Sequence, residues 1–176
     1  MPQLSITIEM GKGYEGMKAS TNPYAIRSAV NEFRNKQPKS AANPLGLLPF
    51  GRGVIADPAD SSGILLPTLA GDVIIGISFA TEQKEQILLN SSDPAQLQGY
   101  EFGEQVGVAT YGDYWVVSET IVRRGDPAFC RITPPANGVL QGRWGNTAGA
   151  DFIAFPKARF ARDMPAGLVI ITMGDA

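Results

Sequence analysis

The sequence predicts an all-β fold: an antiparallel β-sandwich or jelly-roll-like barrel with an extended N-terminal arm and one short helix. Glycine and proline are frequent, with 20 and 13 of the 176 residues, and they divide the chain into the short segments typical of sandwiches and barrels. Several segments alternate apolar and polar residues with the strand period of two. The chain is 44% hydrophobic and 18% charged, which indicates a globular domain with one core.

The clearest β signal lies in the middle of the chain. Residues 105–111 and 114–120 both alternate, and Gly112-Asp113 between them suits a two-residue hairpin turn because glycine adopts a positive φ without a Cβ clash. A second turn at residues 124–127 leads into a third predicted strand, residues 128–133. We expect these strands to form an antiparallel meander on which the core is assembled.

The N-terminus carries a glycine-rich pattern. Residues 4–9 alternate like an edge strand, and glycines at 11, 13 and 16 follow as G-x-G-x-x-G. A dinucleotide site needs a helix to begin there, so that its N-terminal amides bind the pyrophosphate, but Asn22-Pro23 interrupts any such helix within two turns. We therefore interpret this segment as an arm that presents Tyr14 and Met17 to a partner.

The one predicted helix covers residues 24–36. Its apolar residues Ile26, Val30 and Phe33 are spaced i, i+4 and i+7, and Pro38 lies beyond its end.

We expect two regions, an arm of residues 1–50 that contains this helix and a β-domain of residues 51–176. The arm is the predicted contact region for a partner, through the side chains of Tyr14, Met17, Tyr24, Ile26 and Phe33.

Further strands are predicted on both sides of the central stretch. Gly76 indicates a bulge or a close backbone approach, and Pro156 indicates an edge position or a bulge. Residues 82–94 fit either a short helix or a fading strand, and that alternative stays open. The remaining predicted strands are residues 54–56, 64–66, 73–79, 139–146, 150–162 and 168–173.

Composition excludes several kinds of chemistry. There is no histidine and only one cysteine, Cys130, so a Ser-His-Asp triad, a histidine-ligated metal and an intrachain disulfide are impossible within one chain. Cys130 is predicted to be a small buried apolar residue. The net charge of −2 and the pI near 5.2 argue against nucleic acid as a direct partner. No run of 18 apolar residues and no signal-peptide pattern occurs, so a protein that is neither membrane-bound nor exported is expected.

Two other functions remain as alternatives. A small hydrolase could use a carboxylate pair, for which the candidates are Glu101 with Glu104, Asp113 with Glu119, and Asp60 with Asp57. Aspartates beside glycine or proline are more often turn formers.

A carbohydrate-binding module could present Tyr111, Tyr114 and Trp115 as a stacking platform near the predicted hairpin tip. The aromatic residues of adjacent strands more often pack against each other. The sequence offers no cluster of polar sugar ligands around them.

The order of motifs resembles the capsid cement, or decoration, proteins of tailed bacteriophages. The similarity spans nearly the whole chain: GYEGMKAS, GRGVIADPAD, VIIGISFAT, the strands around YGDYWV followed by Arg124-Gly125-Asp126, and the final DFIAFPKARFARDMPAGLVIITM. The resemblance implies a small β-domain on the outer capsid surface that bridges major capsid protein subunits, without an active site or a cofactor. It also implies copies that pair as dimers or trimers, and residence in the virion after assembly in the host cytoplasm. Another virion part, such as a tail or neck protein, is the remaining alternative.

Overall fold

The structure is a computed structural model that describes residues 15–19, 29–40, 45–80, 99–132 and 141–174. Every regular element in these residues is a β-strand, which confirms the predicted all-β class. The strands are β1 (Ala29–Asn35), β2 (Leu48–Pro49), β3 (Gly53–Asp57), β4 (Asp60–Leu65), β5 (Gly76–Phe79), β6 (Gly99–Tyr100), β7 (Gln105–Ala109), β8 (Gly112–Ser118), β9 (Pro127–Arg131), β10 (Trp144–Gly145), β11 (Phe152–Phe160) and β12 (Gly167–Met173).

Ten of these strands close into two barrels of five strands each. The first barrel has the order β1-β4-β3-β5-β7 and the second has the order β10-β8-β12-β11-β9. Each barrel contains one parallel pair, β1 with β4 and β10 with β8, and its other pairs are antiparallel. The remaining two strands, β2 and β6, form a small sheet of their own. Closure leaves few exposed strand edges, which are the usual sites of unwanted pairing.

The predicted meander is wrong in its pairing, although its strands exist close to the predicted bounds. β7 pairs with β1 and β5, whereas β8 pairs with β12 and β10. The chain therefore crosses from the first barrel to the second at the predicted turn, where Gly112 has φ of 104°. Alternation specifies that a segment is a strand, but the partner is chosen by contacts far along the chain.

The predicted helix over residues 24–36 is also wrong wherever the structure describes it, because Ala29–Asn35 is strand β1. The register of β1 against β7 shifts between Val30 and Phe33. A bulge of this kind adds one residue to a strand, so a spacing of three fits a bulged strand as well as a helix. The pairing of β1 on both edges then outweighs a weak local helix preference.

The predicted boundary at residue 50 stays a prediction. β1 and β2 lie on its N-terminal side, and both hydrogen bond with strands from the C-terminal side. These two strands are thus built into the sheets.

Two apolar clusters fill the molecule, and β3 lies between them. Its consecutive residues Val54 and Ile55 belong to different clusters, since successive side chains of a strand point to opposite faces. Along β8, burial alternates strictly, with Tyr114, Val116 and Ser118 inside, as the sequence predicts.

Two predictions from proline and glycine are confirmed. The pairing of β11 with β9 shifts register between Phe155 and Arg159, and both Pro156 and Lys157 are exposed, so a bulge lies at the predicted proline. Because of that bulge, the core-facing side chains of β11 do not follow one regular alternation. They are Ile153, Phe155, Ala158 and Phe160. At Gly76, an added Cβ would lie 2.7 Å from a Val108 methyl group. The predicted close approach at this glycine is therefore present, and a larger residue would not fit.

Candidate functional site

The two barrels meet along a contact that we call the seam, and residues 15–19, which we call the N-terminal strap, lie across it. The strap runs antiparallel to the start of β8: the Gly16 amide donates to the Trp115 carbonyl at 2.7 Å, and the Trp115 amide donates to the Met17 carbonyl at 2.7 Å. The strap also contacts the first barrel, since the Ala80 amide donates to the Gly16 carbonyl at 3.2 Å. The strap therefore hydrogen bonds with both barrels.

Gly16 is the last glycine of the G-x-G-x-x-G pattern, and its role is structural. Its φ is 81°, and an added Cβ would overlap Phe50 and lie 2.8 Å from the Gly51 amide nitrogen. Gly51 has φ of 72° and contacts the strap from the other side. The two backbones can approach each other this closely because both residues are glycines and neither has a Cβ. The preceding glycines, 11 and 13, lie outside the described residues.

A buried ion pair lies beneath the strap. Arg52 Nε is 3.1 Å from Glu15 Oε1, and the Arg52 side chain is only 2% exposed. The N–H is not aligned for a hydrogen bond, and neither atom has another partner among the described residues. Burial raises the pKa of Glu15 despite the nearby guanidinium groups of Arg52 and Arg143, and burial lowers the pKa of Arg52 despite Glu15. Both shifts show that desolvation exceeds the attraction between the two charges.

Further hydrogen bonds complete the seam. Trp144, fully buried in the second barrel, donates its indole N–H to the Gly51 carbonyl at 2.8 Å. Arg52 Nη1 donates to the Gln141 carbonyl at 3.2 Å, and the Gln141 side-chain amide donates to the Pro67 carbonyl at 2.6 Å. Since these groups are buried, their hydrogen bonds fix one arrangement of the barrels.

Cys130 packs at the same seam. It is fully buried, and the absence of a side chain at Gly53 makes room for its sulfur. Burial raises the pKa of its thiol. The prediction of a small buried apolar residue is confirmed, and a thiolate nucleophile is not favoured at this position.

The described surface displays large apolar side chains on four loops. Leu69 and Val73 are 66% and 74% exposed on one turn, and Ile121 is 71% exposed on another. Leu45 and Phe102 lie together, since the Phe102 amide donates to the Leu45 carbonyl at 3.3 Å. Exposed apolar side chains held on ordered loops are typical of surfaces that bind another protein.

The turn that carries Leu69 and Val73 is held in shape by Asp72. Its carboxylate accepts the amides of Thr68 and Leu69 at 2.7 and 2.8 Å, and its own amide donates to the Leu69 carbonyl at 3.1 Å. Gly71 and Asp72 thus belong to a hydrogen-bonded turn. Because these hydrogen bonds fix the backbone of the turn, a partner that binds Leu69 and Val73 has little backbone ordering to impose.

Of the five predicted contact residues, the structure describes two. Met17 lies in the strap and is half-buried, and Phe33 of β1 is half-buried against the core of the first barrel. The other three, Tyr14, Tyr24 and Ile26, lie outside the described residues.

Sequence analysis missed Glu15, Arg52 and the exposed pair Leu69 and Val73. For the exposed pair a signal existed, because apolar residues that flank a Gly-Asp turn have no neighbouring strand to cover them.

The three candidate carboxylate pairs are occupied by structural hydrogen bonds or held apart. Glu104 accepts the Glu101 amide at 2.7 Å, and Asp60 forms an ion pair with Lys36 at 3.0 Å. Asp113 lies near the start of β8 and Glu119 just after its end, roughly 20 Å apart at the usual strand rise. A glycosidase needs about 5 to 9.5 Å between its carboxyl groups, so this last pair does not fit.

The three aromatic residues do not form one platform. Tyr114 is buried against Phe79, with ring centroids 5.8 Å apart, whereas Trp115 faces outward beneath the Arg162 guanidinium at 5.9 Å. Adjacent residues of a strand face opposite sides. The arrangement therefore argues against the alternative of a sugar-stacking surface.

Two further properties concern the described part of the chain. No group of three or more acidic or cysteine side chains is placed to hold a metal ion there. In the same residues, no helix is long and apolar enough to span a membrane.

Comparison with known proteins agrees with the resemblance seen in the sequence. The family model described as "Structural cement protein (E217 gp24/Pam3 gp6)" matches residues 2–174. Among solved structures, a chain of "The capsid of Myoviridae Phage XM1" is similar, with a TM-score of 0.53 and 18% identity over 89% of this chain and 99% of that chain. At this identity the likeness concerns the fold alone. No curated protein matches.

Proposed function

The chain belongs to the family of phage structural cement proteins, and from this premise we propose that it binds the outer surface of an assembled phage head and stabilises the shell by bridging major capsid protein subunits. The observation that carries the proposal is the family match over residues 2–174. The likeness in fold to a phage capsid chain is consistent with it. The family is structural, and we propose that this member performs no catalysis.

The mechanism that we propose is mass action. A protein that binds only the assembled shell lowers the free energy of that state and so opposes its disassembly. Many copies, each with a modest interface, together add a large stabilisation. A bridge must keep its two contact surfaces at a fixed spacing, and the seam supports this requirement through the strap, the Trp144–Gly51 hydrogen bond and the Arg52–Gln141 hydrogen bond.

The proposed contacts fall into two sets. The first is the arm set from the sequence, Tyr14, Met17, Tyr24, Ile26 and Phe33. The second is the exposed turn with Leu69 and Val73, whose side chains are far more exposed than those of Met17 and Phe33. Neighbouring copies, paired as dimers or trimers, are proposed as further partners in the virion, after assembly in the host cytoplasm, without direct contact to nucleic acid or membrane.

The proposal is tested with expanded capsids that lack the protein. Adding the purified protein is expected to saturate a repeated set of sites and to raise the capsid melting temperature, measured by scanning calorimetry. Unchanged melting with and without the protein would contradict the proposal. A single copy per particle, located at the tail or neck, would favour the alternative virion role.

Variants then locate the contact. The double change Leu69→Asp and Val73→Asp adds two charges to the exposed turn and is expected to weaken capsid binding without lowering the stability of the free protein, since neither side chain is in the core. Ala148→Asp, at an exposed loop position of the second barrel, is the control. Unchanged binding of the double variant would move the contact away from this turn.

A further inference from the structure

Five exposed cations lie on neighbouring segments of the second barrel, and we call this group the basic ridge. It consists of Arg123, Arg124, Lys157, Arg159 and Arg162. Two of them lie on the turn that precedes β9, two on β11 and one just after β11. The ridge is therefore built from segments distant in sequence.

Backbone hydrogen bonds hold these segments together. The Gly125 amide donates to the Phe160 carbonyl at 2.8 Å, and the Phe160 amide donates to the Asp126 carbonyl at 3.0 Å. The Arg124 amide donates to the Asp163 carboxylate at 2.7 Å. Gly125 has φ of 85°, which a glycine adopts without strain. The turn Arg124-Gly125-Asp126 thus positions two arginines beside the end of β11.

Three carboxylates lie beside the ridge, and each accepts hydrogen bonds from neutral groups. Asp126 accepts the Asn146 side chain at 2.7 Å and the Arg123 amide at 2.9 Å, and Asp113 accepts the Thr172 hydroxyl at 2.6 Å. Asp163 accepts the Arg124 amide, as above. The hydrogen bond from Asn146 is the largest cause of the lowered pKa of Asp126. Five cations beside three carboxylates leave the ridge at two positive charges, on a chain whose net charge is −2.

Some of the other cations in the described residues form ion pairs. Arg131 forms an ion pair with Glu119, lies 3.8 Å from Asp151 and covers the Phe152 ring, and Lys36 pairs with Asp60. None of the five ridge cations lies within 4 Å of a carboxylate in the described residues. Within the described residues, the ridge is thus a group of neighbouring cations without a carboxylate partner.

An aromatic residue adjoins the ridge. Arg162 lies over the outward-facing ring of Trp115, and Trp115 pairs across the sheet with Ile170 of β12. Arg159 pairs with Thr172 of the same strand. Tryptophan and arginine are the residues that most often dominate binding energy at protein interfaces.

We propose that the basic ridge, with Trp115 as its apolar anchor, docks on a carboxylate-rich protein surface of the phage shell. The inference rests on the proposed function and assigns it a surface and a partner chemistry. Charge complementarity selects an acidic partner, and it supplies specificity and a fast association rate. A protein is favoured over nucleic acid because the chain as a whole is acidic, with a pI near 5.2.

Charge reversal tests the ridge. Arg124→Glu with Arg159→Glu reverses two ridge charges. As the control, Ala56→Glu with Ala59→Glu adds two negative charges at exposed positions outside the ridge and the arm, on and just after β3 of the first barrel. Binding to expanded capsids is measured by co-sedimentation at several salt concentrations. The ridge variant is expected to bind at least about tenfold more weakly and with a flatter salt dependence, whereas the control variant binds as the wild type does. Trp115→Ala is expected to weaken binding at all salt concentrations.

Each outcome has one interpretation. If the wild type binds capsids and the ridge variant binds equally well, the ridge inference is wrong and the proposed function stands. If the wild type does not bind, the proposed function fails first. The inference is also overturned if the wild type binds a short DNA duplex at physiological salt, or if the ridge variant loses only self-association in sedimentation velocity. Melting curves of the free variants show whether they are folded.

Discussion

The two barrels have the same number of strands and one parallel pair each, yet they are stabilised differently. In the second barrel, β8 and β12 pair without interruption from Gly167 opposite Ser118 to Met173 opposite Gly112, around a largely apolar interior. In the first barrel, the pairings of β1 with β7 and of β3 with β4 both shift register, whereas in the second only the pairing of β11 with β9 does. The first barrel also contains two fully buried polar side chains, Asn35 and Ser78. The uninterrupted pairing of β8 with β12 is thus the most regular part of the second barrel, and fully buried polar side chains are a feature of the first.

The difference explains which residues can be replaced. An apolar core tolerates a change of shape as long as volume is kept. A buried polar side chain tolerates little, because its loss leaves several partners unsatisfied. The seam combines both kinds of contact, and changes there are expected to affect both barrels.

The largest effect is expected for Trp144→Ala. The substitution removes a fully buried ring that packs against Phe155, and it leaves the Gly51 carbonyl without its donor. A loss of about 3–5 kcal/mol in the free energy of unfolding is expected from such a truncation, measured by urea denaturation. The half-exposed Trp115, changed to Ala, is the matched control with a smaller loss. Equal losses would show that burial does not distinguish the two tryptophans.

Arg52→Met tests the buried ion pair of the seam. Removal of the cation leaves Glu15 without its main counter-charge and is expected to cost about 3 kcal/mol at neutral pH. Glu15, with its pKa already raised by burial, then loses the Arg52 attraction that lowers the pKa. A folded-state pKa above the unfolded value favours folding below the unfolded pKa, and this advantage is lost as pH rises through the folded pKa. The stability deficit of Arg52→Met is therefore expected to shrink as pH falls toward the unfolded pKa of a glutamate.

The double variant Glu15→Gln with Arg52→Met is the control for that prediction. It has neither charge of the pair, so it is expected to recover most of the lost stability at neutral pH and to show a flatter pH dependence. A deficit of Arg52→Met that is independent of pH would show that Glu15 is not the cause.

Asn35→Ala is expected to destabilise the first barrel and not the second. Asn35 donates to the carbonyls of Gly46 and Tyr100 and accepts the Gln37 amide, each at 2.7 Å. Loss of these hydrogen bonds is expected to cost about 2–3 kcal/mol. Hydrogen exchange is expected to accelerate in β1 and β4 and to stay unchanged in β8 and β12. Arg34→Ala, at the exposed neighbour, is the control, and uniform acceleration in both barrels would contradict a barrel-specific role.

The smallest of these effects is expected for Gly16→Ala. The added Cβ meets Phe50, and alanine disfavours the positive φ of Gly16, so a loss of about 1–2 kcal/mol is expected at the strap. Faster hydrogen exchange of the Trp115 amide, which donates to Met17, measures release of the strap. Gly71→Ala is the control, because its Cβ meets nothing within 4 Å. Unchanged exchange of the Trp115 amide would show that the strap accommodates the added methyl group without being released.

Local patterns predicted the strands well and their partners poorly. The burial along β8, the bulge at Pro156 and the close approach at Gly76 follow from period and residue type, which are local properties. The pairing of β7 with β1 rather than β8 depends on which distant strands bury its apolar face, and a short hairpin signal does not contain that information. The helix over residues 24–36 failed for a related reason, because a bulge between Val30 and Phe33 accommodates a helix-like spacing.

The sequence predicted the general role of the protein but not the residues of the candidate site. An absence of catalytic residue types and a resemblance across the whole chain pointed to a structural protein. The seam was not predictable, because Glu15, Arg52 and Gln141 are distant in sequence and polar residues are usually exposed. The basic ridge was hidden for the same reason, since its arginines come together only through the contact of Gly125 with Phe160.

The most direct measurement is a cryo-electron microscopy reconstruction of capsids saturated with the protein. Density for one copy is expected to cross the boundary between two major capsid protein subunits on the outer surface of the head, with the basic ridge against carboxylate side chains of the shell. Density confined within a single subunit, or found only at the tail, would contradict a bridging role.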